Sequence, residues 1–181
     1  RRTPLKVYAL ESTIAILKQN MFNFKLWPDY TVLPNPESPF LVLNALTEQP
    51  IHVPGGWIGT LPVAHAVPGV AYQVHSPNAS LVFSGDTTYC EEFWCALNNL
   101  VNLRHLIVET TFLNIQSDEA ANAKHMTANL LARGLKLLRS NPIIYITHME
   151  PGQQEETMLE VKNALSGRPV QPLHQGQEIE F

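Results

Sequence analysis

Leu81-Val82-Phe83-Ser84-Gly85-Asp86-Thr87-Thr88 is a short apolar run that stops at a glycine and a lone carboxylate. A strand ending in Gly-Asp delivers an acidic side chain at the rim of a buried sheet, where the glycine lets the backbone come close to an ion or substrate. Taken alone, Asp86 reads better as an N-terminal cap for the helix-like run that begins at Tyr89. It does not stand alone. His65 follows Leu61-Pro62-Val63-Ala64, His125 precedes Met126-Thr127-Ala128, and His148 closes Ile143-Ile144-Tyr145-Ile146-Thr147.

On the N-terminal side of this stretch the pattern is mostly sheet. Leu5–Ala9 predicts a strand and Glu11 to about Asn20 a helix, followed by an aromatic-dense connecting segment, Phe22–Tyr30, whose rings favour a packed core. Phe40–Leu46, Ile51–Val53 and Trp57–Ala66 read as strands punctuated by proline and glycine. Val70–His75 and Ser80–Phe83 pair across the turn Ser76-Pro77-Asn78-Ala79. Beyond Asp86 the grammar changes to alternation: helix Tyr89–Leu100, strand His105–Glu109, largely helix Ala120–Arg139, strand Ile143–Thr147, helix Gln153–Leu165, and an edge-strand-like Gln177–Phe181. A strand meander followed by βα units implies an α/β protein with a mixed sheet carrying helices on its outer face. Ligands of such sheets bind at strand ends, where Asp86, Glu109 and His148 fall.

At 181 residues, 45% hydrophobic and 15% charged, residues 1–181 read as one soluble domain. A net charge of −4 argues against a nucleic-acid surface built on bulk positive charge. No apolar run is long enough for a bilayer and Arg1-Arg2-Thr3 carries no signal pattern, so no membrane partner is expected and the cytoplasm is the expected compartment. Cys90 and Cys95, ~140° apart on a helix, suit neither a shared metal nor a mutual disulfide and read as core or neutral thiols. The chain opens on arginine and runs almost at once into a strand, which suggests a further upstream part.

Imidazole and carboxylate are the ligand set of Zn²⁺, Mn²⁺ and Fe²⁺ sites, and a carboxylate shared between two ions is how two-metal hydrolases hold them together. His65, Asp86 and His148 are the available ligands. His125, at a helix start, projects from a separate loop and is assigned as proton donor ahead of ligand. Glu109, followed by Thr110-Thr111-Phe112, is placed to orient that imidazole. His52, His75, His105 and His174 lack such placement and read as structural.

His65-Ala66-Val67-Pro68-Gly69-Val70-Ala71-Tyr72, Ser84-Gly85-Asp86-Thr87, Val108-Glu109-Thr110-Thr111-Phe112, His125-Met126-Thr127-Ala128 and Ile146-Thr147-His148 occur in an order that resembles the metallo-β-lactamase superfamily. Within it the chain is most similar to the phosphodiesterase branch that holds the tRNA 3′-processing endonuclease (RNase Z) and the class II cyclic-nucleotide phosphodiesterases. Val7–Thr13, Phe22-Asn23, Trp27-Pro28-Asp29-Tyr30 and His148-Met149-Glu150-Pro151-Gly152 resemble the class II enzymes more closely. The resemblance implies the C-terminal portion of a four-layer αββα sandwich. It implies two divalent ions, Zn²⁺ or else Mn²⁺ or Fe²⁺, with His65 and His148 as ligands and Asp86 as the bridge, and His125 near the leaving group with Glu109. The implied substrate is a small nucleotide, 3′,5′-cyclic AMP; a homodimer is allowed for. The alternatives are a tRNA 3′-processing endonuclease, another hydrolase of the same fold such as a lactamase or thioesterase, and a metal-free scaffold module. The superfamily's His-x-His-x-Asp-His loop has no counterpart in these residues. In the family it precedes the part corresponding to Arg1, so an upstream segment is expected to supply the remaining ligands.

Overall fold

The computed structural model describes residues 3–181, which fall into two compact units, one running to Gln49 and one spanning Pro50–Phe181. In the first, β1 (Leu5–Ala9) pairs in parallel with β2 (Leu41–Ala45), with Val7 opposite Leu43. The helix expected from Glu11 is α-helical (α1) only over Glu11–Ile16 and widens into a π-turn over Leu17–Met21. The following aromatics divide. Tyr30 meets Phe22 and Phe40 edge to face at 6.0 and 6.1 Å, whereas Phe24 and Trp27, like Phe40 itself, are exposed, contrary to the packed-core expectation.

The second unit holds a seven-stranded sheet in chain order: β3 (Ile51–Val53), β4 (Gly56–Pro62), β5 (Val70–His75), β6 (Ser80–Phe83), β7 (Leu103–Glu109), β8 (Ile143–Thr147) and β9 (Val170–Pro172). Pairing is antiparallel from β3 to β6 and parallel from β6 to β9. Two reversals give β4 the same direction as β6, so β4, β6, β7 and β8 all finish at one edge. The helices are α2 (Glu91–Leu97), α3 (Ser117–Ala123), α4 (Ala128–Leu135) and α5 (Gln154–Ala164).

Alternation along the strands decides which face is covered. Val82, Leu106 and Ile144 are register partners across β6, β7 and β8, and together with Val108 and Ile146 they are fully buried beneath Phe93, Trp94, Leu97, Leu131 and Leu135 of α2 and α4. Burying side chains of this size contributes about 1.5–3 kcal/mol each, which makes this the stability centre of the unit. Gly134 is the notch that admits Trp94: a Cβ there would lie 2.0 Å from the indole Cε2.

Several sequence boundaries shift. The strand from Trp57 ends at Pro62, where proline removes a ladder donor, and the helix from Tyr89 is confined to Glu91–Leu97. Asp86 is therefore not its cap; that position is Cys90. Ala120–Arg139 is two helices, broken where Lys124 takes a left-handed φ of 57°. Gln177–Phe181 forms no strand; β9 is the edge. Cys90 is buried, and burial raises its thiol pKa, whereas Cys95 is exposed.

Candidate functional site

Each expected site residue lies at the common edge. His65 follows β4, Gly85-Asp86 follows β6, Glu109 ends β7 and His148 follows β8. Gly85 takes φ 60° to turn the chain out of β6, a conformation that costs other residues roughly 1–2 kcal/mol. His148 holds φ 58° without being glycine; such backbone persists only where its surroundings fix it, and it clusters at functional sites. His125 arrives separately. The Lys124 turn ends α3, the His125 N–H donates to the Ala120 carbonyl, and the Thr127 hydroxyl caps α4 by accepting from Leu130 N–H. Thr111 and Phe112 N–H both donate to the Met126 carbonyl, which clamps the His125 segment against the chain leaving β7.

Beneath the imidazoles lies Glu109, fully buried. Its Oε1 accepts from Thr87 N–H at 2.7 Å and from His125 Nδ1 at 2.7 Å; its Oε2 accepts from Thr111 Oγ1 at 2.8 Å and Met126 N–H at 3.1 Å. Four donors satisfy a carboxylate that would otherwise cost several kcal/mol to bury. The structure thus brings Glu109 and His125 together as a hydrogen-bonded pair. Ala64 N–H donates to Thr87 Oγ1 at 3.1 Å and Thr88 N–H to the Ala64 carbonyl at 2.8 Å, which staples the His65 loop to the Asp86 loop.

Above the dyad, His148 Nε2 lies 3.6 Å from Asp86 Oδ1 and His65 Nε2 lies 4.0 Å from Asp86 Oδ2. The His125 ring stacks on His148 at 5.0 Å and meets His65 edge to face at 4.9 Å. His65, Asp86 and His125 each offer a ligand atom, all within 4.8 Å of one another, and so do Glu109, His125 and His148.

The direction of the hydrogen bonds tests whether a cation fits. His65 Nδ1 lies 3.2 Å from the Lys124 carbonyl, which only accepts, so Nδ1 carries the proton and Nε2 is bare when the ring is neutral. The same logic applies to His125, whose Nδ1 faces Glu109. Bare imidazole nitrogens and the Asp86 carboxylate thus face one another across gaps too long for hydrogen bonds. Neighbouring ligands of a tetrahedral ion with bonds of 2.0–2.2 Å lie roughly 3.3–3.6 Å apart, and the His148–Asp86 spacing is already there. The donor set fits divalent metal, with one Asp86 oxygen turned toward each flanking histidine.

The remaining histidines do not converge on the site. His75 stacks on Trp57 at 3.7 Å and His105 Nδ1 pairs with the Tyr145 hydroxyl at 3.2 Å; His52 and His174 are exposed. Burial lowers the pKa of His75, and burial together with the Arg104 charge lowers that of His105. The residue overlooked in the sequence is Thr111, whose hydroxyl touches Glu109, lies 2.8 Å from His148 Nδ1 and 3.4 Å from His125 Nδ1. No local pattern marks it, because its contacts come from separate chain segments.

Mixed sheet, helices and strand-end rim together make the metallo-β-lactamase fold. By structure the chain is similar to yeast PDE1, with a TM-score of 0.81 and 18% identity over 96% of this chain and 59% of that one. It is also similar to YhfI of Bacillus subtilis, a metallo-β-lactamase fold protein (TM-score 0.73, 20% identity, 96% and 64% of the two chains). A third match is the short form of human tRNase Z, ELAC1 (TM-score 0.57, 17% identity, 83% and 62%). The chain thus spans about three-fifths of the length of these structures. No family model and no curated protein matches the sequence. Among the described residues no helix is long and apolar enough to cross a membrane.

Proposed function

We propose that this chain belongs to a metal-dependent hydrolase of the phosphodiesterase branch, acting on 3′,5′-cyclic nucleotides, with cyclic AMP as the preferred substrate and a 5′-nucleotide as product. The observation that carries the reading is the two-tier site: histidines and Asp86 presenting bare ligand atoms above, and the buried Glu109 carboxylate hydrogen-bonded to the half-buried His125 below. His65, Asp86 and His148 would hold the metal, with Asp86 bridging two ions. Divalent metal in such a site supplies a nucleophile from water at neutral pH and neutralises phosphodiester charge. His125, which lies against both His65 and His148, would act in this reading as the proton donor to the departing 3′-oxygen and not as a ligand. Glu109, hydrogen-bonded to the far ring nitrogen, stabilises the ring while it carries the second proton. It also prevents the ring from turning away.

The preference for a cyclic nucleotide over a tRNA precursor is supported by the resemblance of the Val7–Thr13 and His148–Gly152 segments to the class II enzymes, by the higher TM-score with yeast PDE1 than with human tRNase Z, and by the acidic net charge. The test is product analysis with the natural full-length protein supplied with Zn²⁺ or Mn²⁺. Conversion of cyclic AMP to 5′-AMP is expected; good cleavage of a tRNA precursor with none of cyclic AMP transfers the assignment to the endonuclease branch.

A further inference from the structure

Thr111 has one hydroxyl proton and three polar neighbours. Glu109 Oε2, at 2.8 Å, already accepts from Met126 N–H, so it faces Thr111 as a carboxylate acceptor. If the hydroxyl turned its proton to His148, an oxygen lone pair would point at that carboxylate at hydrogen-bond distance, an unfavourable contact in a fully buried place. The proton therefore goes to Glu109. His148 Nδ1, 2.8 Å from the same oxygen, can then engage it only by donating. The 3.4 Å contact with His125 Nδ1 is secondary, because that nitrogen has Glu109 Oε1 at 2.7 Å.

We propose that Thr111 is a positioning residue that places His148 under the control of Glu109, so that one buried carboxylate fixes the tautomer of two imidazoles: His125 directly and His148 through the Thr111 hydroxyl. The consequence is a bare Nε2 on His148, pointed at Asp86, before any ion arrives. The backbone holds the hydroxyl in place from both sides, since Thr111 N–H donates to the Met126 carbonyl and its own carbonyl accepts from Glu150 N–H at 3.2 Å. A β-branched side chain on that fixed backbone has few rotamers, which favours threonine over serine. The strained φ of His148 is held on the same account: the relay anchors the ring that the turn delivers.

The metal consequence rests on the proposed metal centre, whereas the tautomer does not, and the test separates them. Full-length protein carrying ¹⁵N-histidine, stripped of metal by chelator and held at a pH well above the ordinary imidazole value of about 6.5, reports each ring's tautomer by NMR. The expected result is Nδ1–H for His148 and His125 in the parent, loss of that preference at His148 alone in Thr111→Val, and its retention in Thr111→Ser. Zn²⁺ titration should show affinity about 10–100-fold weaker in Thr111→Val and within about threefold of the parent in Thr111→Ser. An unchanged His148 tautomer in a folded Thr111→Val protein, or an Nε2–H tautomer in the parent, overturns the inference. If Thr111→Val does not fold, Thr111→Ser and the parent decide: an Nε2–H His148 in either overturns it. A parent that takes up no Zn²⁺ refutes the metal reading, and the tautomer arm still decides for Thr111.

Discussion

Replacing Glu109 with glutamine changes one atom in a site with no slack. The carboxylate accepts four hydrogen bonds, two at each oxygen, and at each oxygen one donor is a backbone N–H that cannot rotate: Thr87 at Oε1 and Met126 at Oε2. The amide has one oxygen and one NH₂ group. Whichever way it is turned, its NH₂ faces one of those N–H groups, donor against donor. Two effects oppose each other. Removing a buried charge relieves desolvation, which in poorly solvated sites makes such substitutions neutral or stabilising. Against that stand an orphaned backbone N–H, about 1–3 kcal/mol, and hydrogen bonds to a charged acceptor weakened to neutral ones, about 1 kcal/mol or more in total. With four donors in place the solvation is already supplied by the protein, so the second effect wins, and we expect Glu109→Gln to destabilise by roughly 2–4 kcal/mol. Urea unfolding followed by far-UV circular dichroism measures this. A Glu109→Gln protein within about 0.5 kcal/mol of the parent would refute the reasoning, since it would mean that the four contacts do not act on an ionised carboxylate.

Gly134→Ala drives a methyl into the Trp94 indole and should cost about 1–3 kcal/mol by the same assay, with Trp94→Leu in the same chain recovering part of that loss relative to Trp94→Leu alone. His105 and His75 both have folded pKa values below 6.5, so between those values and 6.5 the unfolded chain binds more protons; stability should rise as pH rises through that window and be lost as pH falls through it. Urea midpoints from about pH 7.5 down to 5.5 should therefore fall, and less steeply in His105→Gln. His125→Ala in the full-length protein should keep its metal and lose roughly 10²–10⁴-fold in cyclic AMP turnover. Much of that rate should return with a p-nitrophenyl phosphodiester, whose leaving group needs little protonation; equal loss on both substrates contradicts the proton-donor role.

How far the sequence could be read depended on whether a signal was local. Leu81–Thr88 carried the strand, the turn and the carboxylate in eight consecutive residues, and His148 at the close of an apolar run was legible in the same way. The dyad was legible because a carboxylate at a strand end and a histidine at a helix start are each local patterns. β9 was not, because three residues ending in proline carry no period, and Gln177–Phe181 alternates well yet pairs with no strand among the described residues. Instead its Phe181 ring meets His105 edge to face at 6.0 Å. Thr111 was invisible as a function because its role exists only where three chain segments, following β7, α3 and β8, converge. The breadth of the π-turn at Leu17–Met21 has no signal in the sequence that we can name.

The central claim is that these residues form a metal centre with Asp86 as its shared ligand, and metal content is its most direct test. In the full-length protein, after equilibration with Zn²⁺ and exhaustive dialysis, the account predicts two ions per chain in the parent, loss of both in Asp86→Ala, and retention of about one in His65→Ala, because each Asp86 oxygen faces a different histidine. Equal metal content in the two variants, or a parent that retains none, would contradict it.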